Sequence, residues 1–253
     1  MDRLGAAVVS SDDVRRRMDE LAALAATSWA GEAEIARTYL AHHRSREGDV
    51  RFLAAQAWKE TRLVRALPPA QRDAVLAGSP IDDHPEGASR DKVADEVKHY
   101  RLLVGLLEEL TGERVTLEAL RELPAETRLQ ELRAPYRAGT PLERAVVNFT
   151  EGGGGALYAV LAELDATPFD RRMAAVFREI LDDEIAHGPG ELTSVARHAA
   201  SADDWLHAAD LVRRIGRARL DMRNEMFGFP LSAARLDAIV AGGIAPWPMP
   251  VRS

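Results

Sequence analysis

Cysteine is absent from all 253 residues. That excludes a disulfide framework, a thiolate nucleophile and a thiolate-bound zinc or iron-sulfur site. Any metal held by this chain must be bound through carboxylate and imidazole. Positive charge is not in excess either: 33 Lys and Arg stand against 40 Asp and Glu, a net charge of -7. No general basic surface is available for a phosphate backbone, so nucleic acid is not the expected partner, and RNA stays open only through a local basic patch. Long apolar runs are missing as well, with no stretch of roughly 18 residues that would span a bilayer. The first 26 residues carry Asp12, Asp13, Arg15, Arg16 and Arg17 in place of the unbroken apolar core of a signal peptide. A cytoplasmic protein without membrane attachment is expected.

Alternating β-branched runs, hairpin dipeptides and a strand followed by a Gly-rich turn are also lacking, and the pattern present is helical from end to end. Val14, Met18, Leu21 and Leu24 recur at three and four along a first helix from Ser11 or Asp12 to about Ala26. A second helix is expected from Trp29 to His43. The next, over 50–67, carries Leu53, Gln56, Glu60, Leu63 and Leu67 on one stripe and ends at Pro68 and Pro69. Further helices are expected over 70–77, 90–111, 117–123, 141–164, 167–187, 191–199, 203–226 and 232–240. Pro124 and Pro135 bracket a short polar stretch, and Pro141 suits a first helical position. No linker separates two halves. The expectation is a single helical domain over 1–253, with a core at about 48–190, a helical extension at 191–240 and a proline-rich tail at 241–253.

Two short strings stand out, DEVKH at 95–99 and DEIAH at 183–187. In each, glutamate and histidine lie three residues apart, so Glu96 with His99, and Glu184 with His187, share one side of a helix. Steps of three and four from the first pair reach Leu103, Leu106 and Leu110; from the second they reach Ile180, Phe177 and Met173. Both polar pairs therefore sit on apolar stripes, where ionised carboxylates are costly unless paired or bound to metal. Glu60 precedes Glu96 by 36 residues and Glu151 precedes Glu184 by 33, so the chain repeats a glutamate followed by D-E-x-x-H. Four helices that supply Glu, Glu-x-x-His, Glu and Glu-x-x-His form the ligand set of a dimetal carboxylate bundle. Glu32 or Glu34 in place of Glu60 is the alternative, although Glu34 lies 62 residues from Glu96 and breaks the repeat.

Over about 48–190 this doubled motif resembles the soluble diiron oxygenases and oxidases of the ferritin-like superfamily. The resemblance implies an all-α, ferritin-like four-helix bundle with additional peripheral helices. It implies that Glu60, Glu96 and His99 serve one iron and Glu151, Glu184 and His187 the other, with Glu96 and Glu184 as bridges. Asp95 and Asp183 match the aspartates that hydrogen-bond ligand histidines and hold the imidazole tautomer. The arginine of the family motif is replaced by Lys98 and Ala186, and Leu103 stands where ribonucleotide reductase small subunits keep a radical tyrosine. Tyr100 and Tyr158 are read as core residues.

EGGGG at 151–155 is the second unusual feature, since glycine inside a helix costs about 1 kcal/mol relative to alanine. Several explanations stand open: a local widening of the helix or close approach of a ligand just after Glu151, with Gly154 and Gly155 on the cavity side, or else tight helix packing, or a π-type distortion. Arg213, Arg214, Arg217 and Arg219 can pair with Asp210, Asp221 and Glu225, with a substrate carboxylate as their other partner. His42 and His43 should face solvent, His84 lies in a loop, and His198 and His207 have no matching carboxylate spacing.

The resemblance implies O2 chemistry at two iron ions, with manganese compatible with the same donors. The reaction would hydroxylate or N-oxygenate a small organic substrate, with electrons from an external donor protein because the chain has no Rossmann or flavin fingerprint. A tRNA-modifying diiron hydroxylase is one alternative, and iron storage or peroxide protection by a ferritin or rubrerythrin relative is another. A non-catalytic interaction module is a third. A homodimer is open to it.

Overall fold

The computed structural model describes residues 11–81, 84, 87–151, 154–187 and 190–248; for 154, 185–187 and 190 only the course of the helix is described. Among the described residues there is no strand. Helix α1 (Ser11–Thr38) runs straight into a π-helical turn, Tyr39–His43. The expected break between Ala26 and Trp29 is absent. Ala25 through Ala30 are all buried, and the Thr27 hydroxyl donates to the Ala23 carbonyl one turn back (2.9 Å), so Thr27 is satisfied without leaving the helix.

Helix α2 (Arg46–Glu60) starts at Ser45, whose hydroxyl accepts from the Gly48 amide at 3.0 Å. It stops short of the expected Leu67: Thr61 donates its hydroxyl to the Trp58 carbonyl, and the chain bends into α3 (Arg62–Arg65) and then α4 (Pro69–Leu76). Helix α5 (Arg90–Thr111) is capped by Ser89 and ended by Gly112 in the left-handed region at φ 75°. A 3-10 turn (Leu117–Ala119) follows where a fuller helix to Leu123 was expected.

The stretch between Pro124 and Pro135 is a correction, because it is a full helix, α6 (Pro124–Arg137). Pro124 occupies the first turn, where its missing N–H is not needed, and Pro135 falls in the last turn, where it forfeits the one bond to the Glu131 carbonyl and the helix ends two residues later. The first free amide is taken up from another helix: Ala125 N donates to Glu225 Oε2 at 2.6 Å. Helices α7 (Pro141–Glu151) and α8 (Gly154–Leu161) lie within the expected helix over 141–164, which ends at Leu161; Gly152 and Gly153 lie outside the described residues. Thr140 with Glu143, and Thr167 with Asp170, cap α7 and α9 (Pro168–His187) reciprocally. The chain then forms α10 (Gly190–His198), α11 (Ala202–Met226), opened by a Ser201–Asp204 capping box, and α12 (Ala233–Val240).

Helix α2 packs on α5, α8 on α9, and α5 on α9, so two helix pairs face one another. Helices α1 and α11 pack together along their lengths; α1 also covers α8, and α11 covers α6 and α7 and touches α2. This is an all-α bundle with peripheral helices, compatible with the ferritin-like bundles in general. Its centre is apolar: Phe52, Leu53, Leu103, Leu157, Phe177 and Ile180 are fully buried. Phe52 stacks on Phe227 (4.3 Å between centroids) and meets Phe177 at 5.7 Å, which stacks in turn on Tyr158 at 5.6 Å. A smaller cluster of Leu63, Val64, Leu67, Val75, Val93 and Val97 joins α3 and α4 to the start of α5. Among the described residues no helix is long and apolar enough to cross a membrane.

Candidate functional site

The two helix pairs together with α6, α7 and α11 line a cavity of about 620 Å3 whose wall includes Glu60, Glu96, His99, Glu151 and Glu184. The stripe positions explain this convergence. Glu60 ends the buried face of α2 and lies one turn from Gln56, while His99 is on the same face of α5 as Leu103 and Leu106. Asp95 also lines the cavity. The side chain of His187 lies outside the described residues.

His99 is 3% exposed and held at both ring nitrogens. Its Nε2 donates to Asp183 Oδ2 at 2.9 Å across the α5–α9 contact, and its Nδ1 lies 3.4 Å from Glu60 Oε2. Asp183 is backed by Lys98, with which it forms an ion pair; Lys98 also reaches Glu179 at 3.8 Å. Lysine in the motif's arginine position thus has a defined partner. On the far side, Glu60 Oε1 accepts from Gln56 Nε2 (2.6 Å), which also donates to the Tyr158 hydroxyl (2.9 Å). Gln56 Oε1 accepts from Arg223 Nη1 (2.7 Å), and Arg223 Nε donates to Glu32 Oε2 (2.9 Å). One polar chain therefore crosses the bundle from Glu32 to Lys98 with Glu60 and His99 at its middle.

The electrostatics follow from crowding. Burial, the Glu60 carboxylate and, more weakly, Glu184 push Glu96 up to about 8. Burial opposes the charged imidazole of His99, but Glu60 and Asp183 outweigh it and raise His99 to about 9. Burial also opposes the Glu60 carboxylate, and His99 and Lys59 nevertheless hold it below the usual range. Three carboxylates, Glu60, Glu96 and Glu184, thus act on one wall, and the His99 imidazolium, a proton on Glu96 and the charges of Lys59, Lys92 and Arg62 compensate them. A cation would take over that compensation, and oxygen and imidazole donors suit hard or borderline divalent metals. Among the described residues no group of three or more His, Asp or Glu side chains is drawn together closely enough to hold a metal ion.

Glu151 is the outlying member. Its carboxylate is turned to α6, where Arg137 Nη2 donates to Oε1 at 3.1 Å and Arg133 Nη1 lies at 3.7 Å. Burial would raise it, but Arg133, Lys92 and Arg137 hold it low. Gly154 lies in the first turn of α8. Gly155 faces α9: a Cβ there would stand 3.6 Å from Leu181 Cδ1, and Gly155 is not among the residues that line the cavity. Glu34, the alternative to Glu60, is bound by Arg235 at 2.6 and 2.7 Å away from the cavity, and Glu32 is fully buried between Arg219 and Arg223.

Several cavity residues have no signal in the motif. Lys59, Glu126, Gln130, Arg133, Arg137 and Arg223 come from α2, α6 and α11, at spacings that a chain reading assigns to solvated faces. The burial of Glu126, Arg133 and Arg223, at 4%, 4% and 1%, is set by the docking of α6 and α11. Tyr158, read as a core residue, is buried and also lines the cavity. Of the late-helix arginines, Arg214 bonds the Tyr136 hydroxyl, Arg217 pairs with Asp221 and Asp237, and Arg219 pairs with Glu32. His42, His43 and His198 are exposed, His84 is buried against the Leu63 carbonyl (2.8 Å), and His207 reaches Glu143 at 3.2 Å. Set beside protein-family models, curated proteins and solved structures, the chain has no match.

Proposed function

We propose that this chain is a non-haem dimetal oxidoreductase that uses iron and O2 to oxidise a small organic substrate. The observation that carries this reading is one cavity lined by Glu60, Glu96, His99, Glu151 and Glu184 from both copies of the repeated motif, with His99 oriented from behind by Asp183. Glu60, Glu96 and His99 would hold one iron, and Glu151, Glu184 and His187 the other; manganese suits the same donors. Bound iron supplies the one-electron steps by which O2 can attack an unactivated bond.

The chain's own groups have separable tasks. Asp183 accepts the Nε2 proton and so keeps Nδ1 of His99 directed toward Glu60 and the cavity, where a metal would take the place of the Nδ1 proton. Gln56 fixes Glu60 through Oε1 and leaves Oε2 facing the site. Glu151 must leave its arginines or share them to act as a ligand, which makes it the mobile carboxylate of the set. Phe149 and Tyr158 supply the apolar and aromatic part of the wall, and a cavity of this size has room for a small molecule. That space favours substrate oxidation over iron storage. Electrons come from a separate donor protein, since the chain has no cysteine-bound cluster.

Anaerobic loading with Fe(II), followed by metal analysis and measurement of O2 uptake, tests this. Two irons per chain are expected for the wild type, one or none for Glu96→Ala or Glu184→Ala, and two for Glu34→Ala. A wild-type protein that binds no iron, or a Glu34→Ala variant that loses it while Glu60→Ala does not, overturns the assignment.

A further inference from the structure

The α6–α11 end of the cavity carries more positive charge than its carboxylates balance. Arg133 is 4% exposed and directs Nη1 toward Glu151, while its Nε and Nη2 have no hydrogen-bond partner. Those two N–H groups lie along one edge of the planar guanidinium, the edge that matches the two oxygens of a carboxylate. Arg219 of α11, 5% exposed, spends Nε on Glu32 and leaves Nη2 unpartnered. The two guanidiniums are close enough to feel each other's charge. Lys59 completes this wall and faces the charge of Glu126. Glu151 is shared by Arg133 and Arg137, and Glu32 by Arg219 and Arg223. Glu60 faces Lys59 as well, so five cationic side chains meet four carboxylates. Buried charge left in this state is costly unless a counter-ion occupies the space.

We propose that this wall anchors a carboxylate of the substrate, with Arg133 gripping both oxygens through Nε and Nη2 and Arg219 beside it. Calling the ligand a substrate rests on the oxidase function proposed above; the binding itself requires no metal. The remainder of an organic acid held there extends along the cavity toward Glu60, Glu96 and His99. A phosphate dianion is disfavoured because Glu126 Oε2, buried and without a hydrogen-bond partner, belongs to the same wall.

Calorimetric titration of the metal-free protein with benzoate, benzamide and inorganic phosphate tests the anchor. Benzoate is expected to bind saturably, and benzamide and phosphate at least roughly tenfold more weakly, the scale of one hydrogen bond to a charged group. Arg133→Met should lose benzoate by roughly 10- to 100-fold, Arg133→Lys by less, and Arg214→Gln, on the surface, should match the wild type. Circular dichroism verifies folding, and Arg133→Lys carries the test if Arg133→Met does not fold. Equal binding of benzoate and benzamide, preference for phosphate, or undiminished benzoate binding in the folded Arg133 variants overturns the proposal. Iron analysis of the same preparations separates the two ideas: benzoate binding in a chain that takes up no iron overturns the oxidase function alone, and iron uptake without benzoate binding overturns the anchor alone.

Discussion

His99 and Glu96 show at single residues how a carboxylate-rich cavity balances its charge in the metal-free chain. His99 has its pKa raised from 6.5 to about 9, so its contribution to stability is complete below 6.5 and is lost as pH rises through 9. Glu96 is raised from 4.5 to about 8, and the folded chain therefore retains a proton that the unfolded chain releases. Its effect has the same sign, with stability falling as pH rises between 4.5 and 8. Metal-free protein is thus expected to melt at lower temperature at pH 9 than at pH 6, and Glu96→Gln should flatten that dependence. Thermal melts across this range in the presence of a chelator check it. Metal should reverse the trend, because it replaces the same protons and binds more tightly as they leave. Asp183→Asn keeps the size of the His99 partner but removes its charge, and turnover is expected to fall by roughly 10- to 100-fold with most metal retained. Asp95→Asn tests the equivalent role in the other half of the motif. Full activity in both variants would reduce these acids to helix-surface residues.

Helices meet most closely where a glycine removes a side chain. At Gly31 of α1 a Cβ would stand 2.7 Å from Leu220 Cδ2 of α11 and 2.8 Å from Ile239 Cγ2 of α12, distances that packed carbon atoms do not adopt. Gly31→Ala should therefore cost about 1 to 3 kcal/mol by overpacking, read from urea unfolding, and Gly31→Val should cost more. Gly155 behaves differently, because its Cβ would make only an ordinary contact with Leu181. Gly155→Ala is expected to raise stability by about 0.5 to 1 kcal/mol through helix propensity, with iron content unchanged. A loss of product in that variant, with iron intact, would return the glycine to the substrate side of the site. The opening turns of α6, α7, α9 and α11 rest on side-chain acceptors, three of them from a neighbouring residue pattern and one, Glu225, from a different helix. Caps of the first kind can be found in a chain, and the last kind cannot.

The whole bundle is tied together by the buried chain from Glu32 on α1 through Arg223 on α11 and Gln56 and Glu60 on α2 to His99 on α5 and Asp183 on α9. Helices outside 48–190 are therefore part of the site, since Arg219 and Arg223 line the cavity and Glu32 fixes both. Glu32→Gln would leave two buried guanidiniums short of their counter-charge, and a loss of about 3 to 5 kcal/mol in unfolding free energy is expected. A loss below about 1 kcal/mol would mean that water reaches this pair. The same variant should weaken iron binding indirectly, through Arg223 and Gln56, without removing any donor.

Helix content and the inward stripes of α2, α5 and α9 follow from periodicity, because a three- or four-residue spacing fixes which side of a helix a residue shares, whereas the meeting of Glu60, Glu96, His99 and Glu184 at one cavity depends on how those helices pack. The matched repeat favours Glu60 over Glu34, and Glu60 lines the cavity while Glu34 pairs with Arg235 outside it. Helix boundaries at Ala26, Glu60 and Pro135 were not legible in the chain, because a local turn signal can be overridden by burial or created by one threonine hydroxyl. Glu151 was readable as a carboxylate on an inward stripe, but its attachment to Arg133 and Arg137 was decided by where α6 docks. The cationic wall of Lys59, Arg133, Arg219 and Arg223 likewise exists only in the folded chain. Each of these residues has an ordinary surface spacing, and only helix packing removes the water that would otherwise satisfy it.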